Sequence, residues 1–174
     1  MKIGLMMKQD ISLKGKNERF NYRVAAIVFH KKKVLLLTED RFDFWYLPGG
    51  KARLLETSQE ALKREIFEEL EEPPIIERVI WTTECLYYFE AWDIKHHDLT
   101  FYYLVNFSEN APIYSQNSGI GKEGFSNEET VLRFKWFDID QLENVNLVPH
   151  FLKSSLKNIP SHTEHLIINE LPYF

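Results

Sequence analysis

A chain of 174 residues is long enough to bury one core and too short to expect two, so one domain over residues 1–174 is expected. Hydrophobic residues at 44% and charged residues at 27% exclude a disordered chain, and a formal net charge of −5 argues against nonspecific nucleic-acid binding, which needs basic patches over phosphates. The lone Cys85 excludes an internal disulfide and fits a reducing, cytoplasmic setting; the apolar run of residues 3–7 is too short for a secretory signal, and no stretch approaches the roughly 20 apolar residues that cross a bilayer.

Residues 1 to about 20 are polar and basic, and read as a loose arm or a first edge strand. Residues 22–30 form an apolar run that predicts a buried strand, with residues 34–38 as its partner. Lys31, Lys32 and Lys33 between them read as a solvated hairpin tip rather than a phosphate contact. Residues 43–47 predict a short strand that delivers the chain to Pro48-Gly49-Gly50, where two glycines let the backbone turn and approach a ligand without a Cβ in the way.

A helix follows, with both ends written in the sequence. Thr57 and Glu60 have the spacing of a capping box, which makes Thr57 the N-cap, and Pro73-Pro74 stops the helix by about Glu72. Leu62, Ile66 and Leu70 fall on one stripe, while Glu65, Glu68 and Glu69 share the adjoining face. Three such carboxylates repel one another, by a few tenths of a kcal/mol per close pair when exposed and more where water is scarce. Arg64 offsets part of this charge, and a hard divalent cation with oxygen ligands would offset more. A solvated acidic face is the alternative, and spacing alone does not separate the two.

Beyond the helix, residues 75–80 and 85–92 predict two strands, residues 93–98 a hairpin turn and residues 99–107 an alternating strand. His96-His97-Asp98 reads as a turn fastener in preference to catalysis by His97. Residues 108–128 predict a long loop; its Gly119-Ile120-Gly121-Lys122 lacks the rest of a Walker pattern. Residues 131–138 predict a strand running into a helical turn, and residues 148–156 an amphipathic helix closing the open face of the sheet. Residues 164–174 alternate as a terminal strand, with contact to a second subunit, hence a homodimer, as the alternative.

Gly50, five residues, Glu56, seven residues, Arg64-Glu65, Ile66, any residue, then Glu68-Glu69 resembles the signature of the Nudix hydrolases, enzymes that cleave a phosphoanhydride in nucleoside diphosphates linked to another group. Glu71 stands where the signature closes on glycine, and Arg53 and Leu55 replace its commoner Glu and Gly. The resemblance covers about residues 20–158 and implies an α+β fold, a Nudix-type α/β/α sandwich with a mixed β-sheet. It implies Mg²⁺, with Mn²⁺ as a substitute, bound by Glu65, Glu68, Glu69 and a carbonyl at Gly50. Glu65 alternatively takes a proton, Arg64 holds Glu65 or Glu56, and Glu56 stands behind the ligands. One more acid would come from Glu123, Glu128 or Glu129, and base recognition from residues 42–46, 87–92 and 108–128. The implied function is metal-dependent hydrolysis of a phosphoanhydride (pyrophosphate) bond in a nucleoside diphosphate derivative or other small-molecule nucleotide substrate; a non-catalytic Nudix-like module that binds a nucleotide metabolite is the alternative.

Overall fold

In the computed structural model, which describes residues 9–122 and 130–172, the apolar run lies within a longer strand, β2 (Glu18–His30). Alternate side chains of a strand point to opposite faces. Val24, Ala26 and Val28 therefore enter one core while Ala25 and Ile27 enter another. Buried on both sides, β2 sits inside the sheet, antiparallel to β3 (Lys33–Glu39) and parallel to β6 (Ile94–Asn106). Lys31 and Lys32 form the exposed turn between β2 and β3.

The mixed sheet runs β7-β8-β3-β2-β6-β5-β9, with β5 spanning Ile75–Phe89, β7 Ser118–Ile120, β8 Leu132–Asp138 and β9 Glu164–Glu170. Two short strands, β1 (Ser12–Lys14) and β4 (Gly49–Lys51), also pair with β2. Helix α1 (Ser58–Leu70) packs Ala61, Leu62 and Ile66 on the Val24 face. On the other face Leu142 from a 3₁₀ turn, Leu152 from the short α2 (Leu152–Ser155) and Leu156 at its C-cap meet Ile27 and Trp81. Helical elements thus cover both faces of a mixed sheet, the expected α/β/α arrangement. Among the described residues, no helix is long and apolar enough to cross a membrane.

Several local expectations change. Residues 75–80 and 85–92 are not separate: Trp81 and Thr83 bury their side chains and carry β5 through the gap, and two register shifts absorb the misfit with β6. The turn after β5 is correspondingly short, a 3₁₀ turn at Glu90–Trp92 followed by Asp93 at φ 51°, so His96, His97 and Asp98 already lie on β6. Residues 43–47 are not a strand. Trp45 bridges Leu147 and Tyr46 bridges Leu37, two unrelated partners that cannot propagate a ladder. The helix of residues 148–156 shrinks to α2, preceded by tighter i to i+3 bonds from Leu152 and Lys153 to Pro149 and His150. Inside the predicted long loop, Pro112–Ser115 form a 3₁₀ turn and β7 adds to β8.

The exit of α1 explains one departure from the signature. Glu71 takes a left-handed conformation, φ 55°, and its N–H donates to the Phe67 carbonyl at 2.9 Å. A side chain there costs about 1–2 kcal/mol relative to the right-handed region, partly offset by the entropy that glycine loses on folding. Glu71→Gly should stabilise the fold by up to about 1 kcal/mol and raise the melting temperature by roughly 2–4 °C in a thermal melt.

Candidate active site

The capping box sets the start of α1: the Glu60 N–H donates to Thr57 Oγ1 at 3.2 Å and the Thr57 N–H donates to Glu60 Oε2 at 2.8 Å. The two glycines before it form a strand, not the expected turn, because β4 pairs with β2 opposite Val24 and Ala25. Gly49, at φ 137°, leaves no room for a Cβ beside the Val24 carbonyl oxygen. A Cβ on Gly50 would lie 2.5 Å from the Glu65 carboxyl carbon. The glycines therefore let strand backbone and helix carboxylates lie in direct contact. The Gly49 N–H donates to Glu69 Oε2 at 2.9 Å.

Arg64 ties the loop to the helix. Its Nε donates to Glu56 Oε1 at 2.8 Å and Nη2 donates to Glu56 Oε2 and to the Lys51 carbonyl, both at 2.9 Å. Nη1 donates to Glu65 Oε1 at 2.7 Å and to Glu68 Oε2 at 3.0 Å. A guanidinium has five N–H donors, and these contacts use them all. The bonds from Arg64 hold Glu56 below the ordinary carboxylate range against the effect of burial. Burial disfavours the Arg64 charge, but Glu56 and Glu65 outweigh it and the guanidinium stays protonated.

The inner acids are in the opposite condition. The buried side of α1 carries Leu62, Ile66 and Glu69, whereas Leu70 is only half-buried, so the predicted stripe turns toward an acid. Burial pushes the Glu69 pKa well up; the neighbouring Glu65 charge adds to this, and the Gly49 N–H and the Arg23 charge only partly oppose it. Burial likewise raises Glu65, with Arg64 opposing. The buried Glu69 and the partly buried Glu65, both with their charge disfavoured and offering hard oxygen donors on one helix, suit a divalent cation. Among the described residues, however, no three acidic, imidazole or thiol groups converge as a ready-made metal site. Arg64 gathers Glu56, Glu65 and Glu68 around itself, and Arg53 reaches Glu68 at 3.6 Å from the other side. Arg53, noted in the sequence only as a replacement of the commoner Glu, is a further site residue, and that replacement was the available signal. Glu123, Glu128 and Glu129 lie outside the described residues.

The His96-His97-Asp98 trio belongs to a separate polar network. Asp98 accepts from Asn21 Nδ2 at 2.6 Å and from the Tyr87 hydroxyl at 3.0 Å, and lies 3.9 Å from both Arg23 Nε and His96 Nδ1. Burial would raise its pKa, but His96, Arg23 and Asn21 together hold it below the ordinary value. His97 points elsewhere, edge-on to Phe20 at 5.3 Å. Two of the segments expected to recognise a base do meet. Phe42 stacks on Phe44 at 4.6 Å, Phe44 meets Phe89 at 6.0 Å, and Phe89 meets the half-exposed Trp92 at 4.7 Å.

The model of the NUDIX domain matches residues 19–158, and the chain belongs to that family. It is a member of the Nudix hydrolases by both signature and fold. No curated protein matches the chain. Its fold is similar to that of the mutator MutT protein from Bacillus halodurans, with a TM-score of 0.56 and 18% identity over 87% of this chain and 91% of that one. An ADP-ribose pyrophosphatase from Streptococcus suis gives 0.53 and 19% over 84% and 98%. A UDP-X diphosphatase gives 0.51 and 19%, covering 79% of this chain; the match spans only 59% of that protein's length.

Two outcomes follow from the charges. Glu69 has a raised pKa in the folded state, so its contribution to stability is present in acid and is lost as pH rises through that pKa. Metal-free Glu69→Gln should therefore melt above the wild type at pH 7, and the gap should close as pH falls toward the ordinary glutamate value. Asp98 has the opposite sign: its depressed pKa contributes stability above the ordinary aspartate value that is lost as pH falls through the folded one. Asp98→Asn should lose about 1–3 kcal/mol in urea titrations at pH 7, with the deficit narrowing below about pH 4.

Proposed function

We propose that this protein hydrolyses a phosphoanhydride bond in a nucleoside diphosphate derivative or nucleotide, with Mg²⁺, or Mn²⁺ in its place, held by Glu68, Glu69 and Glu65. The observation that carries this reading is the buried Glu69 carboxylate, set beside Glu65 against the Gly49-Gly50 strand with its charge disfavoured. Names carried by proteins of the same fold, ADP-ribose pyrophosphatase and UDP-X diphosphatase, support the substrate class. A Gly50 carbonyl is a further candidate ligand on family resemblance, and the contact of Gly50 with Glu65 supports it.

When bound, a divalent cation neutralises charge on the phosphate oxygens and makes a water more acidic. In place of ligation, Glu65 would take the proton, a role it suits because Arg64 holds its Oε1 in place while burial raises its proton affinity. Arg64 positions Glu65 and Glu68, and Glu56, below its ordinary pKa, keeps Arg64 oriented from behind. The aromatic run from Phe42 to Trp92 offers faces on which a base can stack. One sheet with a core on each face supports a single domain for residues 1–174. The edge strand β9, where Ile167 is exposed, is the place for a homodimer contact, and the lone buried Cys85 supports a cytoplasmic setting.

Release of a nucleoside monophosphate should be followed by chromatography over a panel of nucleoside triphosphates, dinucleoside polyphosphates, nucleotide sugars and ADP-ribose, with and without Mg²⁺. Release is expected only with the metal. Glu68→Gln should fold as the wild type does and turn over roughly 10²-fold more slowly, the scale on which losing one contact to developing charge slows an enzyme. Near-normal turnover by that variant would remove Glu68 from the ligand set. Tight nucleotide binding without release would favour the non-catalytic module.

A further inference from the structure

Glu68 has a guanidinium on each oxygen. Arg64 Nη1 holds Oε2 at 3.0 Å, a hydrogen bond, while Arg53 Nη1 lies 3.6 Å from Oε1, beyond hydrogen-bond distance. The two arginines are held differently. Every donor of Arg64 has an acceptor, whereas the Arg53 head rests between Glu68 and Asp10 Oδ1, the latter at 3.7 Å, and is one-third exposed. The Arg53 backbone is pinned. Its N–H donates to Glu56 Oε2 at 2.9 Å, Asp10 bridges it, and the Leu54 N–H donates to the Gln9 carbonyl at 2.9 Å. The base of the side chain is fixed while its charged end is loosely held.

We propose that Arg53 guards Glu68 Oε1 in the cation-free protein and passes to a phosphate oxygen of the substrate when a divalent cation takes Glu68. This inference rests on the reading of Glu68 as a metal ligand. A cation arriving at Oε1 meets a positive charge already there, so one must leave. Arg53 is the looser of the two arginines and yields first. Asp10 keeps the released guanidinium at the rim of the site, where its planar fork matches a phosphate. At this position the family pattern more commonly has an acid, which would attract the cation; Arg53 reverses that charge and supplies a phosphate contact instead.

The test is a titration of Mn²⁺ into wild type, Arg53→Gln and Arg53→Glu without nucleotide, following free Mn²⁺ by electron paramagnetic resonance. Metal-free melts of all three check folding. Arg53→Gln should bind Mn²⁺ roughly two- to fivefold more tightly, the scale of one exposed ion pair, and Arg53→Glu more tightly still. In the same proteins saturated with Mg²⁺, inorganic pyrophosphate measured by calorimetry should bind Arg53→Gln more weakly than wild type, by roughly tenfold. Unchanged or weaker Mn²⁺ binding by Arg53→Gln overturns the guard, and unchanged pyrophosphate affinity overturns the hand-over, both leaving the ligand reading intact. Absence of Mn²⁺ binding in all three proteins overturns the ligand reading itself.

Discussion

The Arg64 guanidinium is where strand, loop and helix are joined. One side chain reaches the Lys51 carbonyl at the end of β4, both oxygens of Glu56 in the loop, and Glu65 and Glu68 along α1. A lysine at this position would have three donors on a point charge and could not hold the same planar arrangement. With the loop fastened this way, the Gly49-Gly50 strand lies against the helix, and the absence of two Cβ atoms lets Glu65 and Glu69 lie directly on the backbone.

That single cation does not balance the site. It lowers the Glu56 pKa and restrains Glu65, but Glu69, which accepts the Gly49 N–H, stays well above the ordinary value, with the Arg23 charge opposing only in part. Burying a carboxylate with so little compensation is unfavourable unless the group takes up a proton or a cation. The polar network around Asp98 meets the same demand differently: Asn21, Tyr87 and Arg23 converge on it and keep the charge comfortable. One buried acid is thus held charged within the protein, and the other has its charge disfavoured. This contrast separates a structural carboxylate from a candidate catalytic one on the same sheet.

The three departures from the family signature also have distinct physical meanings. Leu55, at φ 65° and almost fully exposed, and Glu71, at φ 55°, both occupy left-handed backbone where the signature has glycine. The fold keeps the conformation although the residue best suited to it is gone. Arg53 is different in kind, since it changes the sign of a charge beside Glu68 rather than the strain of the chain.

The limits of α1, its capping box, the central strand and its partner, and the set of acids on one helical face were all legible in the amino-acid sequence. Capping boxes, prolines and apolar alternation act over a few residues, so they are written locally. The continuity of β5 through residues 81–84, the place of Asp98 on a strand, the reduction of residues 43–47 to two bridges and the burial of Glu69 in place of Leu70 were not. Each depends on a partner far along the chain, whether β6 for β5, Leu147 for Trp45 or Gly49 for Glu69. The sequence by itself determined which acids would share a helix and where that helix would begin and end. Only the tertiary structure decided which of them is buried, which is held by Arg64 and which is contested by Arg53, because burial and charge pairing are set by residues that chain order does not bring together.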